Sequence, residues 1–469
     1  MGIVHAKVER KYNFAEDEAG LFDYDEPDLD ELPVPRAPIE LSGVRARVDR
    51  VNVDGLNRTK DDVIRGTVDD LFNAKDFEDV IVRAHKVRQA LDNLGCFRDV
   101  CVYIDVSSGP EATPDGLEVT FQVRELSRVA AAVATDVSED EGSVVLGVKL
   151  PNLLGRGERA AAGYSLGHLR STNMHLGFTK PLLLRTYEPV VSGSLYQRAA
   201  EHVSSGYRLL DRGLLLDLAF QTSPTTKHHV QWEGVMREMF VSNKTSFKVR
   251  ESSGPQLKSM VRHIISVDQR DEAVFPTQGA RLHICNELAG LGGSVASLRT
   301  ELHLQFNHTL SQKLGLVVQA CGAVGLLHDV YGSSVADHFF LGGAASLRGF
   351  QHRGAGPHCD GHALGGRMYW AGGLHVFAPL PVPGAGTGLG ALFRSHLFLN
   401  TGCVASPERG SSGEWWRELG AARGAGGAGL CLRLGRAARL ELSYVLPLRW
   451  MPGDRTHAGI QLGLGANFL

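Results

Sequence analysis

The 469-residue chain lacks any run of 18 or more consecutive apolar residues, so a membrane-spanning helix is not expected. It also lacks a charge of one sign. The net charge is −3 with 22% charged residues, and no global basic field is available to recruit nucleic acid or anionic lipid. Cysteine is sparse: Cys96, Cys101, Cys285, Cys321, Cys359, Cys403 and Cys431 are scattered, odd in number and free of any CxxC pair. That usage fits a reducing compartment rather than a disulfide framework. The first residues, Met1 to Lys7, show no apolar core of a secretory signal. Ala6 stands where myristoylation wants Ser or Thr. The following segment is too acidic for a transit peptide, so any membrane address is expected to be internal. Sequons at Asn57, Asn243 and Asn307 then read as chance matches.

Glycine is abundant, at 55 residues against 19 prolines. Without a G-X-Y period this points to many turns and closely packed strands rather than collagen or a helical bundle.

Residues 1–43 carry eleven acids against four Lys or Arg, broken by Pro27, Pro33, Pro35 and Pro38. Such a stretch buries too little apolar surface to fold alone and is expected to be a disordered, solvated acidic tail. Residues 44–126 read as one small β-α-α-β-β unit. Val44, Val48, Val51 and Val53 mark a strand ending at the turn Asp54-Gly55. Thr59 stands as a helix N-cap, with Asp61 and Asp62 in the first turn. A second helix from about Asp76 carries Val80, Ala84, Val87, Leu91 and Leu94 on one stripe, and Gly95 ends it. Two strands follow, with Val100, Val102, Ile104 and Val106, then Leu117, Val119, Phe121 and Val123.

From about residue 127 to the end, period-2 alternation dominates. Leu298, Leu302, Leu304 and Phe306 oppose Arg299, Glu301, His303, Gln305 and Asn307; Leu440, Leu442, Tyr444 and Leu446 oppose Arg439, Glu441 and Ser443. Val230, Trp232 and Met236 oppose Gln231, Glu233 and Arg237, and the run Thr245 to Arg250 alternates as a further strand. About sixteen such segments fit residues 127–469, at a spacing suited to tilted spanning strands. A soluble sandwich or propeller would show the same period. The recurrence of Arg, Glu, His, Gln and Asn on one face, with Leu, Val and Phe on the other, favours a transmembrane β-barrel of about sixteen antiparallel strands.

Little asks for chemistry. Gly424 to Gly429 satisfies G-x-G-x-x-G, but Leu430, Leu432 and Leu434 alternate after it, so a strand follows where a dinucleotide site needs a helix. His352, His358, Cys359 and His362 match no usual zinc spacing. No nucleophile elbow is present, and neither an enzyme, a metal nor a cofactor is expected.

The segment Phe339 to Phe350, with Gly342, Gly343, Leu347, Arg348, Gly349 and Phe350, closely resembles the Gly-Gly…Arg-Gly-Phe loop of the BamA-type assembly-barrel superfamily. Residues 44–126 look like a polypeptide-transport-associated (POTRA) domain. Val53 to Asp62, Lys149 to Arg156 and Tyr369 to His375 resemble the barrel subunit of the mitochondrial sorting and assembly machinery. Residues 199–229 and 403–428 depart from that pattern, and the acidic tail has no clear match.

The resemblance implies a loop between strands 11 and 12 that folds into the lumen, with Arg348 contacting the inner wall and Gly349 permitting a tight turn. A guanidinium in a narrow lumen needs an acid partner, and Glu441 is one candidate among several. It further implies insertion and assembly of β-barrel precursors in the mitochondrial outer membrane, with the small domain in the intermembrane space. The implied partners are the lipid bilayer, barrel precursors, metaxin-like accessory subunits and cristae-organising inner-membrane proteins, with no nucleic acid. The route would be a lateral seam. On one side lies a first strand near Ser143 to Leu150, including Ser143, Val145 and Gly147; on the other lies the closing strand, with Gly459, Gly463, Gly465 and Phe468. Glycines supply no cross-strand side-chain pair and weaken a strand, so this edge could open and template an incoming one. A passive outer-membrane pore and a degenerate, inactive copy remain the alternatives.

Overall fold

The computed structural model describes residues 3–7, 43–108, 112–137, 141–182, 189–380, 388–406, 420–435, 438–465 and 468. The chain divides into two compact units: residues 1–130 with 149–160, and residues 131–148 with 161–469. Among the described residues, no helix is long and apolar enough to cross a membrane.

The N-terminal unit holds β1 (Ile3–Lys7), β2 (Arg47–Asp54), α1 (Asp61–Val68), α2 (Phe77–Asn93), β3 (Phe97–Val106) and β4 (Gly116–Glu125). The sheet order is β1-β2-β4-β3, with β2 parallel to β4 and β3 antiparallel to it. The β-α-α-β-β order expected for residues 44–126 is therefore present. The stripe on α2 follows helical periodicity: Val80, Ala84, Val87 and Leu91 are all buried, facing Val51, Val53, Val119 and Phe121 of the sheet within one core. Each valine, leucine or phenylalanine among them contributes about 1.5–3 kcal/mol by leaving water.

Two expectations about this unit are corrected. The acidic segment is not without structure throughout, because Ile3–Lys7 pairs in parallel with β2. Those residues precede the first acid, Glu9, and their backbone covers the N–H and C=O groups of what would otherwise be an edge strand. Residues 8–42 of the segment lie outside the described residues. Thr59 is not the N-cap of α1 either. Lys60 occupies that position, and the Thr59 hydroxyl donates instead to the Glu125 carboxylate at 2.6 Å.

The second unit is built on a sixteen-stranded sheet in which neighbours follow chain order. It runs from an opening strand, Ala130–Val137, to a closing strand, Gly459–Gly465. Every pairing resolved between these strands is antiparallel, as in the register Leu302↔Ile284 and Leu302↔Val324. Alternation along each strand sorts side chains by face. Leu298, Leu304 and Phe306 stay 47%, 49% and 58% exposed on the outer face, while Arg439 and Glu441 are each 2% exposed on the inner one. A sheet that buries charge and exposes large apolar groups is inverted relative to a soluble protein.

Two readings of this region also change. Ser143, Val145 and Gly147 lie in Gly142–Pro151, the second strand, because Ala130–Val137 pairs outside it. Four of the eight residues Ala130 to Val137 are alanine, placed on both faces, so no apolar alternation announced that strand. The run Thr245 to Arg250 is not a strand. It contains a short helix, α3 (Phe247–Glu251), in which the Arg250 N–H donates to the Ser246 carbonyl at 3.1 Å. Alternation over six residues could not exclude a single turn with Val249 buried and Phe247 exposed. The glycine-rich run Gly424 to Gly429 lies within the strand Arg423–Leu434, as its following alternation indicated.

Candidate functional site

Strands 11 (Leu316–Tyr331) and 12 (Met368–Pro379) are neighbours in the sheet, and the 36 residues between them, 332–367, form a loop against the inner wall. The loop starts with a short 3-10 turn, Val335–Asp337. Ser334 caps it, and the Asp337 carboxylate accepts from the Ser334 backbone N–H in return. The same carboxylate is held from the wall: Arg237 donates at 2.9 Å and Lys258 at 3.0 Å. Lys258 also reaches Glu287 at 2.7 Å, and Arg299 donates to the Asp337 carbonyl at 3.3 Å. The first anchor is thus ionic, centred on the buried Asp337 and Lys258, and shared by neighbouring strands.

Beyond it, Phe339, Leu341, Leu347 and Phe350 sink into one apolar cluster with Tyr369, Phe398, Val404, Ala425 and Val445 of the wall. Arg348, between Leu347 and Gly349, is 1% exposed. Its Nη2 donates to Glu441 Oε2 at 2.6 Å, and its guanidinium lies over the rings of Phe398 and Phe468, 4.9 and 5.4 Å from their centroids. Glu441 also accepts from Arg439 Nε at 2.8 Å, so one carboxylate carries two guanidiniums. The acid that sequence left as one candidate among several is the observed partner. Charge-assisted contacts of this kind are short and strongly directional, and low exposure keeps water from competing.

Gly349 has φ +84°, and a Cβ there would meet the Ala425 Cβ at 2.7 Å; both the turn and the close approach require glycine. From Gly349 to Gly354 the loop runs beside the segment leading into the closing strand. The His457 N–H donates to the Gly349 carbonyl at 2.8 Å, the Gln351 N–H to the Arg455 carbonyl at 3.0 Å, and the Arg455 N–H to the Gly354 carbonyl at 2.8 Å.

The structure therefore brings Gly342, Gly343, Leu347, Arg348, Gly349 and Phe350 to the inner wall beside the closing strand. Gly459, Gly463 and Gly465 lie in that strand, and Phe468 stacks on Arg348 just beyond it. Ser143, Val145 and Gly147 lie one strand inside the opposite edge. Sequence reasoning missed Asp337, Lys258 and Arg439 as parts of the site. The signal for Lys258 and Arg439 was only their inward position on alternating strands, and a loop aspartate such as Asp337 carries none.

As for metals, His358–Cys359 and His362–Ala363 form a two-residue ladder, and these residues form no ligand group among the described residues. His396, Cys431 and Glu441 do cluster on the inner wall. Glu441 is engaged by two guanidiniums, whose charge opposes a cation there.

A family model described as the Omp85 superfamily domain matches residues 152–468. The chain belongs to the Omp85 superfamily. Within it, the chain is 41% identical over 450 residues to "Sorting and assembly machinery component 50 homolog B" of Xenopus laevis, covering 95% of each chain. It is 42% identical over 429 residues to the human "Sorting and assembly machinery component 50 homolog", covering 90% of each. Among solved structures, BamA from Haemophilus ducreyi lacking POTRA domains 1–3 matches with a TM-score of 0.71 and 16% identity, over 90% of this chain and 84% of that one. That likeness supports the fold: the sixteen-stranded sheet is an Omp85-type transmembrane β-barrel, and the loop 332–367 lies in its lumen.

Proposed function

We propose that this Omp85 barrel inserts and assembles β-barrel precursor proteins into the mitochondrial outer membrane, without covalent catalysis or cofactor. The proposed domains are a short acidic N-terminal segment (1–43), a POTRA domain (44–126) in the intermembrane space, and the barrel (127–469). The observation that carries the reading is the buried Arg348–Glu441 pair, which fixes the lumen loop beside a closing strand rich in glycine. The names of the relatives support the same role. The exit route is a lateral seam between Ala130–Val137 and Gly459–Gly465, where unpaired backbone groups would template an incoming strand. Ser143, Val145 and Gly147 back this seam as the next strand in. Metaxin-like subunits, cristae-organising inner-membrane proteins and precursor barrels are the proposed partners.

The test is barrel-precursor assembly on native gels, in mitochondria depleted of the resident subunit and supplied with this chain or its Arg348→Ala form. Restored assembly by the chain and impaired assembly by the variant is the expected result. A chain that inserts as a barrel yet restores nothing would favour a passive pore or an inactive copy.

A further inference from the structure

Along the closing strand, Ile460 and Leu462 face outward, 69% and 63% exposed. The lumen-facing positions are therefore 459, 461, 463 and 465, which the sequence fills with Gly, Gln, Gly and Gly. Within this strand, Gln461 is the one lumen-facing residue with a side chain beyond hydrogen. Its amide meets the tip of the lumen loop: Oε1 accepts from the Gly349 N–H at 3.1 Å, and Nε2 donates to the Phe350 carbonyl at 3.4 Å. The side chain reads a neighbouring backbone N–H and C=O as a paired strand would.

The rest of the ladder discriminates poorly between registers. Strand Ala438–Arg449 pairs Leu442 with Leu462, Leu440 with Leu464 and Tyr444 with Ile460 on the outer face. Sliding the closing strand by two residues keeps every face and again sets an apolar side chain against an apolar one. On the lumen side the slide places a glycine at the position Gln461 leaves; Glu441, now opposite Gly463, would meet Gly465 freely in one direction, whereas in the other the Gln461 Cβ would come within about 3.2 Å of the Ala344 Cβ. Glycine-rich strands are weakly specified in this way. The leader, Arg455 to His457, is stitched to the loop, but Gly459 joins it to the strand at φ +112° and loosens that coupling.

We propose that Gln461 is the register-setting residue of the closing strand: its two hydrogen bonds to the Arg348-Gly349-Phe350 tip select one alignment among several nearly equal ones. It is a positioning residue. In the proposed insertion role it would give the seam edge a defined register, held within the strand by one removable side chain and beyond it by Phe468 packed on Arg348. The inference rests on that reading only for its purpose, not for its test.

The full chain is reconstituted in lipid vesicles with Leu442→Cys combined in turn with Leu462→Cys, Ile460→Cys or Leu464→Cys. Oxidation and mass spectrometry then read which pair links. With Gln461 intact, the 442–462 link is expected to dominate. Gln461→Ala should raise the 442–460 or 442–464 link relative to 442–462 by about tenfold, the effect of losing two net hydrogen bonds. Gln461→Glu keeps the acceptor for the Gly349 N–H but sets a carboxylate against the Phe350 carbonyl, and should fall between the two. Folding is checked separately by the compact band on unheated gels, because an unfolded chain could also close these short loops; a variant without that band is set aside and scored with Gln461→Glu instead. An unchanged link pattern in both variants overturns the proposal, whether or not precursors still assemble. A shifted pattern with intact precursor assembly upholds the register role and counts against the seam reading.

Discussion

At the residue scale, the lumen site turns on how one buried carboxylate is shared. Glu441 neutralises Arg348 from the loop and Arg439 from its own strand, all within the inner wall. Removing either guanidinium leaves the acid with a partner; removing the acid takes one carboxylate from two buried cations at once. Glu441→Ala is therefore expected to destabilise the barrel by about 3–5 kcal/mol, as for other broken buried pairs. Arg348→Ala should cost less, about 1.5–3 kcal/mol, the range for one lost charge-assisted bond. Urea titration of the compact band on unheated gels measures both, and equal losses would show that Arg439 does not share the acid. Gly349 was assigned through its motif, and the structure supplies the reason: a position that needs positive φ and no Cβ admits one residue type. Arg348 stood out through its motif, whereas Asp337 and Lys258 had nothing local to mark them, since their meaning comes from a contact 79 residues apart.

At the element scale, the junction of β4 and α1 depends on another carboxylate. Burial alone would raise the Glu125 carboxyl. The Thr59 hydroxyl and the backbone N–H groups of Thr59, Arg58 and Asn57 outweigh it and hold the group below the usual carboxylate range. Thr59 in turn accepts from Asn152 Nδ2 at 2.8 Å, so the segment 149–160 is fastened to the same point. A carboxyl lowered in the folded state stabilises it above the ordinary carboxylate pKa, and that contribution disappears as pH falls through the lowered value. Hydrogen-exchange protection factors at β4 and α1, taken relative to the intrinsic rate at each pH, should accordingly fall on acidification through that window, and Glu125→Gln should flatten the dependence. Retained pH dependence in the variant would place the effect elsewhere. The elements themselves differed in legibility. The α2 stripe and the strand Ala296–Ser311 repeat a period over many residues and could be read directly. Ala130–Val137 and α3 could not, because alanine on both faces and a six-residue window each fit more than one period.

At the scale of the whole molecule, the loop spans the lumen between two anchors. Asp337 is held by Arg237 and Lys258, from the seventh and eighth strands, while Arg348 is held by Glu441, one strand from the closing edge. In the proposed insertion mechanism the sheet parts between the opening and closing strands while the loop keeps its grip on the wall. A disulfide joining Ala130–Val137 to Gly459–Gly465 should abolish precursor insertion, with reductant restoring it; full insertion by the locked protein would remove the lateral route. The sequence by itself favoured the membrane barrel and marked the β-α-α-β-β unit and the loop motif, because periodicity and a glycine-arginine signature are local properties of the chain. Only the tertiary structure decided which strand forms the edge, which acid meets Arg348 and what grips Gln461. Those are matters of register and of distant residues meeting across a lumen, and no local pattern of side chains encodes them.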